Sequence, residues 1–219
     1  MYFPSPRPLI QRFTHGPQGA SVVFLLAMVL GACSDETPSI APLSQDAIVL
    51  AFGDSLTYGT GASREHSYPA QLEQLIGHRV INAGVPGELS EQGRKRLPRL
   101  LEEYKPGLLI LCHGGNDLLR KMDKAQIRRN LEAMIEQADS HGIPVMLIGV
   151  PQPALMFLES APLYEEIASE YDLPIESAIL PEVEADHALK SDRIHPDAAG
   201  YRLIAEAINR LMINSGALP

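Results

Sequence analysis

The residues of this chain best suited to bond-making chemistry lie in four short polar clusters. They are Gly53-Asp54-Ser55-Leu56-Thr57-Tyr58-Gly59, Asn82-Ala83-Gly84-Val85-Pro86-Gly87, His113-Gly114-Gly115-Asn116-Asp117 and Asp192-Arg193-Ile194-His195-Pro196. Their types fit acyl transfer. A serine hydroxyl is a poor nucleophile until a base takes its proton, and His195 is the candidate base for Ser55. Asp192, three residues earlier in the chain, can accept from the imidazole Nδ1–H and fix the tautomer that leaves Nε2 free. Pro196 biases His195 toward extended backbone. A tetrahedral oxyanion needs hydrogen-bond donors. The candidates are the Ser55 backbone N–H, the Gly87 N–H and the Asn116 side-chain amide, with Gly84 competing with Gly87. Asp54 is expected to bond the backbone around its turn, and Asp117 to cap the segment that follows it. His113 reads as a satisfied structural histidine, with a place at the border of the pocket as the alternative.

These clusters need elements that bring them together. The first three lie at the ends of strand candidates: Ala47–Phe52, the short Arg79–Ala83 and the apolar Gly107–Cys112 read as strands, as do Pro144–Val150 and Leu173–Glu176. Between them lie amphipathic stretches with helical spacing, at Tyr68–Ile76, Glu91–Tyr104, Lys124–Ser140, Ala161–Tyr171 and Ala198–Asn214. Strands apolar on both faces and alternating with helices predict a parallel sheet covered on both sides. In such sheets ligands bind beyond the C-terminal strand ends, which is where the polar clusters fall. Leu118, Leu119, Leu155, Met156, Phe157 and Leu158 are apolar loop residues near that rim, equally suited to lining an acyl pocket and to packing against the sheet.

With Gly-Asp-Ser-Leu early, Gly-Gly-Asn-Asp in the middle and Asp-x-x-His late, the chain over about 48–213 resembles the GDSL, or SGNH, hydrolases. Within that family it is most similar to the bacterial arylesterase, thioesterase and lysophospholipase L1 group. The resemblance implies a three-layer α/β/α, flavodoxin-like fold. It implies Ser55 as nucleophile, Asp192 and His195 completing a triad, and an oxyanion hole of Ser55, Gly87 and Asn116; the same alignment favours Gly87 over Gly84. One block departs from the pattern: that group has Ser-Gly-Asp-Thr where this chain has Pro86-Gly87-Glu88-Leu89. The glycine survives, while the lost hydroxyl and changed acid bear on loop geometry or substrate choice.

The N-terminus is of another kind. Arg7 and Arg12 stand without any acidic residue, and the apolar run Ser21–Leu30 that follows is too short to span a bilayer. Leu30-Gly31-Ala32-Cys33 then looks like a bacterial lipobox. Residues 1–32 are therefore expected to be a lipoprotein-type signal peptide, Cys33 the lipidation site and 33–46 a polar tether, with ordinary cleavage and a soluble periplasmic protein as the alternative. The hydrolase domain is expected at 47–215. Cys112 is then the one remaining thiol, which excludes an internal disulfide. Losing Arg7 and Arg12 would take the net charge from −9 to −11, a balance that argues against nucleic acid as a partner.

No Gly-x-Ser-x-Gly elbow, phosphate-binding glycine motif or paired-histidine metal motif is present. Serine ester hydrolysis needs no metal or other cofactor. The sequence thus leads to a serine ester hydrolase of a bacterial envelope, lipid-anchored and facing the periplasm, with the outer membrane favoured. Its substrate would be a small-molecule or lipid ester. The alternatives are an O-acetyl esterase acting on envelope polysaccharide or peptidoglycan, and a non-catalytic ligand-binding surface lipoprotein.

Overall fold

The computed structural model describes residues 1–2, 37–152 and 159–219. Cys33, the residues around it and the apolar stretch 155–158 lie outside the described residues.

In chain order the strands are β1 (Val49–Gly53), β2 (Val80–Gly84), β3 (Leu108–Cys112), β4 (Val145–Ile148) and β5 (Ile175–Glu176). They form one parallel sheet in the order β2-β1-β3-β4-β5. Central β1, β3 and β4 are buried along their whole length, as unbroken apolar runs require. Edge strands β2 and β5 are partly exposed. The helices described are α1 (Ser55–Tyr58), α2 (Tyr68–Ile76), α3 (Ser90–Tyr104), α4 (Gly115–Leu119), α5 (Lys124–Asp139), α6 (Pro162–Tyr171), α7 (Ile179–Ala185) and α8 (Ala198–Asn214). Right-handed crossovers place α2 on one face and α3, α5 and α6 on the other, and α8, after the last strand, shares the face of α2. The packing of α2 on α8, α3 on α5 and α5 on α6 agrees. This is the three-layer, flavodoxin-like arrangement expected.

The strand order sets the site. The chain leaves β1 toward β2 on one side, then returns across β1 to form β3 on the other. The crevice of a doubly wound sheet opens at such a switch point. Gly53, Gly84 and Cys112 are register partners at the strand ends, so the loops after β1, β2 and β3 leave the sheet at one level. Two buried tyrosines tie helices to this rim: Tyr164 of α6 donates to the His113 carbonyl (2.8 Å) and Tyr201 of α8 to the Thr60 carbonyl (2.7 Å).

The packed domain is longer than 47–215. Ile40 is buried, and its N–H donates to the Ser215 carbonyl (2.7 Å), while the Leu43 N–H donates to Ala217 (3.0 Å). Residues from Ile40 onward are thus clamped to the C-terminal segment instead of forming free tether. The apolar side chain of Ile40 and the backbone pairs outweigh the polar look of that stretch.

Candidate active site

Asp54 caps the one-turn helix α1, its Oδ1 accepting from the Leu56 N–H (3.2 Å). That cap places Ser55 at the first helical position, past the end of a rigid central strand. The Ser55 hydroxyl lies 3.1 Å from His195 Nε2. On the far side of the ring, Nδ1 is 2.8 Å from Asp192 Oδ2. Asp192 Oδ1 also accepts from the backbone N–H groups of Ile194 and His195, each at 2.8 Å. Those two backbone donors, then the imidazole, pull the Asp192 carboxyl down to about 2. An ionised carboxylate only accepts, so Nδ1 carries the ring proton and Nε2 of the neutral imidazole is free to accept from Ser55.

The candidate donors differ in availability. Neither the Ser55 N–H nor the Gly87 N–H has an acceptor among the described residues. The Gly84 N–H is already given to Asn82 Oδ1 (3.0 Å), so of the two glycines only Gly87 has a donor to offer. Gly87 has φ +76°, a left-handed conformation strained for any residue with a Cβ. Asn116, in the first turn of α4, donates through Nδ2 to Asp54 Oδ2 and to the Glu88 carbonyl, each at 3.1 Å. The clusters after β1, β2 and β3 are therefore joined by one amide.

A cleft of about 120 Å³ opens at Ser55 and His195, with Leu56, Leu119, Val150 and Ile194 among its walls. Leu119 lines it, whereas Leu118 is buried in the core. Two further carboxyls border the cleft. Burial raises the Asp54 carboxyl above the ordinary range. Burial also pushes Glu184 of α7 up to about 7, against the pull of Lys190. Sequence reasoning missed Glu184, which lies in a stretch with no readable motif. Asp117 does not cap the segment after it. It is buried and accepts from the Ser90 N–H (2.9 Å) and hydroxyl (2.7 Å) at the start of α3, while Asp123 caps α5. His113 is wholly buried with both ring nitrogens hydrogen-bonded, the structural reading of that residue. Among the described residues no three His, Cys, Asp or Glu side chains are grouped to hold a metal ion.

A doubly wound sheet carrying a hydrogen-bonded serine, histidine and aspartate at its switch point defines a hydrolytic α/β class. The chain belongs to the GDSL-like Lipase/Acylhydrolase family, whose model matches residues 51–203. It is 30% identical over 195 residues to "Esterase TesA" of Pseudomonas aeruginosa strain PAO1, covering 83% of this chain and 95% of that protein. It is 29% identical over 165 residues to "Thioesterase 1/protease 1/lysophospholipase L1" of Escherichia coli K12, covering 72% of this chain and 79% of that protein. Among solved structures, the SGNH-hydrolase family esterase AlinE4 superposes with a TM-score of 0.59 at 33% identity, covering 81% of this chain and 99% of that chain. By family, the chain is a carboxylic ester hydrolase.

Proposed function

We propose that the protein cleaves carboxylic esters or thioesters of short to medium acyl chains through an acyl-enzyme on Ser55. The observation that carries this reading is the relay Asp192–His195–Ser55, whose last two members are 140 positions apart in sequence yet 3.1 Å apart in space.

As Ser55 Oγ attacks the substrate carbonyl, its proton passes to His195 Nε2 and Asp192 balances the imidazolium. The oxyanion takes hydrogen bonds from the backbone N–H groups of Ser55 and Gly87, and Asn116 joins by sharing one of its two amide protons. His195 then protonates the leaving alcohol or thiol. In the second half it takes a proton from water, whose oxygen attacks the acyl carbonyl and releases the acid. The small apolar cleft supports short acyl chains, and the esterase and thioesterase relatives support both leaving-group classes. We also propose that residues 1–32 are removed and that lipidated Cys33 anchors the protein at the periplasmic face of a bacterial membrane.

The test is hydrolysis of p-nitrophenyl esters from acetate to palmitate by the purified protein beside Ser55→Ala. Loss of three or more orders of magnitude is expected, the scale on which a nucleophile counts. Equal rates in both proteins would overturn the proposal. Activity confined to acetyl esters, with faster turnover of acetylated polysaccharide, would move the substrate to the O-acetyl class.

A further inference from the structure

The loop between β2 and α3 exposes Val85, Pro86 and Gly87, and then buries an acid, Glu88. Its carboxylate receives a two-pronged bond from Arg96 of α3, Nε to Oε1 at 2.8 Å and Nη2 to Oε2 at 2.6 Å. His113, at the end of β3, approaches Oε2 through Nε2 at 3.1 Å. Its Nδ1 accepts from the Gly114 N–H (2.9 Å), so Nε2 bears the proton and donates to Glu88. Burial works against charge on this carboxyl, but the donors His113 and Arg96 outweigh it and hold the group below the usual range. The cluster is clamped from both sides. The Arg96 guanidinium carbon lies 4.2 Å from the centre of the Phe52 ring in β1. On α3, only a glycine fits at 93, where a Cβ would sit 2.4 Å from His113 Nε2.

The Glu88 backbone reaches the other way. Its N–H donates to the Val85 carbonyl (3.1 Å), closing the turn that contains Gly87, and its carbonyl accepts from Asn116 Nδ2 (3.1 Å). One residue therefore fixes the loop bearing one oxyanion donor and touches the second donor directly. From this geometry we infer that Glu88, anchored by Arg96 and His113, is a positioning residue that sets the Gly87 and Asn116 donors of the oxyanion hole. The inference rests on the acyl-enzyme reading above. It assigns a role to the acid at which this chain departs from the group's Ser-Gly-Asp-Thr block.

Donors aimed at an oxyanion act in the transition state and little in the ground state. Steady-state kinetics on p-nitrophenyl acetate, with binding of a trifluoromethyl ketone that forms a tetrahedral adduct on serine, separates this role from a merely structural one. For the purified full chain carrying Glu88→Ala, kcat should fall roughly 30- to 100-fold with KM within about threefold, and ketone affinity should fall in parallel. The isosteric Glu88→Gln keeps one acceptor oxygen and should lose about tenfold. Arg96→Lys keeps the charge without the fork and should behave likewise. Those two variants decide the matter if the alanine protein does not fold. Folded variants with unchanged kcat and ketone affinity would overturn the inference while leaving Ser55-dependent turnover intact. Loss confined to thermal stability would do the same. A wild type without Ser55-dependent turnover would overturn the parent reading and this inference with it.

Discussion

At Asp192 three short hydrogen bonds converge on one carboxylate, two of them from the backbone of the loop that carries His195. Held at about 2, Asp192 is charged throughout any working range, so the acid limb of a rate profile will not report its titration. Asp192→Asn can present N–H to Nδ1 and favour the wrong tautomer. It should cost kcat roughly 10³- to 10⁴-fold with little change in KM, as steady-state kinetics will show. Glu184 is the opposite case. Its carboxyl, pushed up to about 7 by burial, gains charge across neutrality inside the cleft. A substrate with an anionic acyl end is repelled only by the ionised form. The ratio of kcat/KM for p-nitrophenyl acetate to that for mono-p-nitrophenyl succinate should therefore rise as pH passes from 6 to 8. Taking a ratio cancels any pH dependence that the two substrates share. Glu184→Gln should give a flat ratio, and a flat ratio in the wild type would show that Glu184 does not face the acyl group. The sign for folding is the same: a carboxyl raised in the folded state binds protons that the unfolded chain has released. Its contribution to stability thus falls as pH rises from about 4.5 toward 7.

Between elements, the start of α3 depends on a side chain from α4. Asp117 takes both the Ser90 N–H and the Ser90 hydroxyl, and that hydroxyl also accepts from Asn130 of α5 (2.9 Å). Asp117→Ala would leave a buried backbone donor and a buried hydroxyl short of partners, at a cost of about 2–3 kcal/mol in urea unfolding. Asp117→Asn keeps an acceptor and should lose less. The long elements were readable from their period: α2 and α8 have the expected limits, and β1 to β4 fall within the expected runs to a residue or two. The one-turn helices α1 and α4 were not, because four or five residues show no 3.6-residue period. Helix α7 was missed in a stretch with neither motif nor clear face. The candidate triad could be read because serine, histidine and aspartate carry chemistry in their types. The cluster around Glu88 could not be read. Glu88 and Arg96 lie on a loop and the helix that follows it, but His113 stands after β3, and the doubly wound topology brings it to them. Asp117 was misassigned for a related reason: its partner lies 27 residues back, across a helix interface.

Over the whole molecule, charge and attachment are separate matters. Without residues 1–32 the chain would carry a net charge of −11, and such a surface is repelled by anionic headgroups. Among the described residues no helix is long and apolar enough to cross a membrane. On the proposed reading, membrane residence must then come from acyl chains on Cys33. Each buried CH₂ contributes about 0.8 kcal/mol, so a single chain holds only reversibly and two or more hold stably. The domain's packing already begins at Ile40, so it takes in part of the 33–46 tether expected from composition. Cells fed an alkyne fatty acid should yield labelled wild-type protein. Cys33→Ala should be unlabelled and should retain the residue 1–32 segment, visible as a heavier precursor by mass. A variant beginning at Ser34, purified from the cytosol, should float with neither anionic nor zwitterionic vesicles at physiological salt. Label surviving in Cys33→Ala would place the acyl chain on another residue, and flotation of the truncated chain would place membrane attachment in the folded domain and remove the need for a lipid.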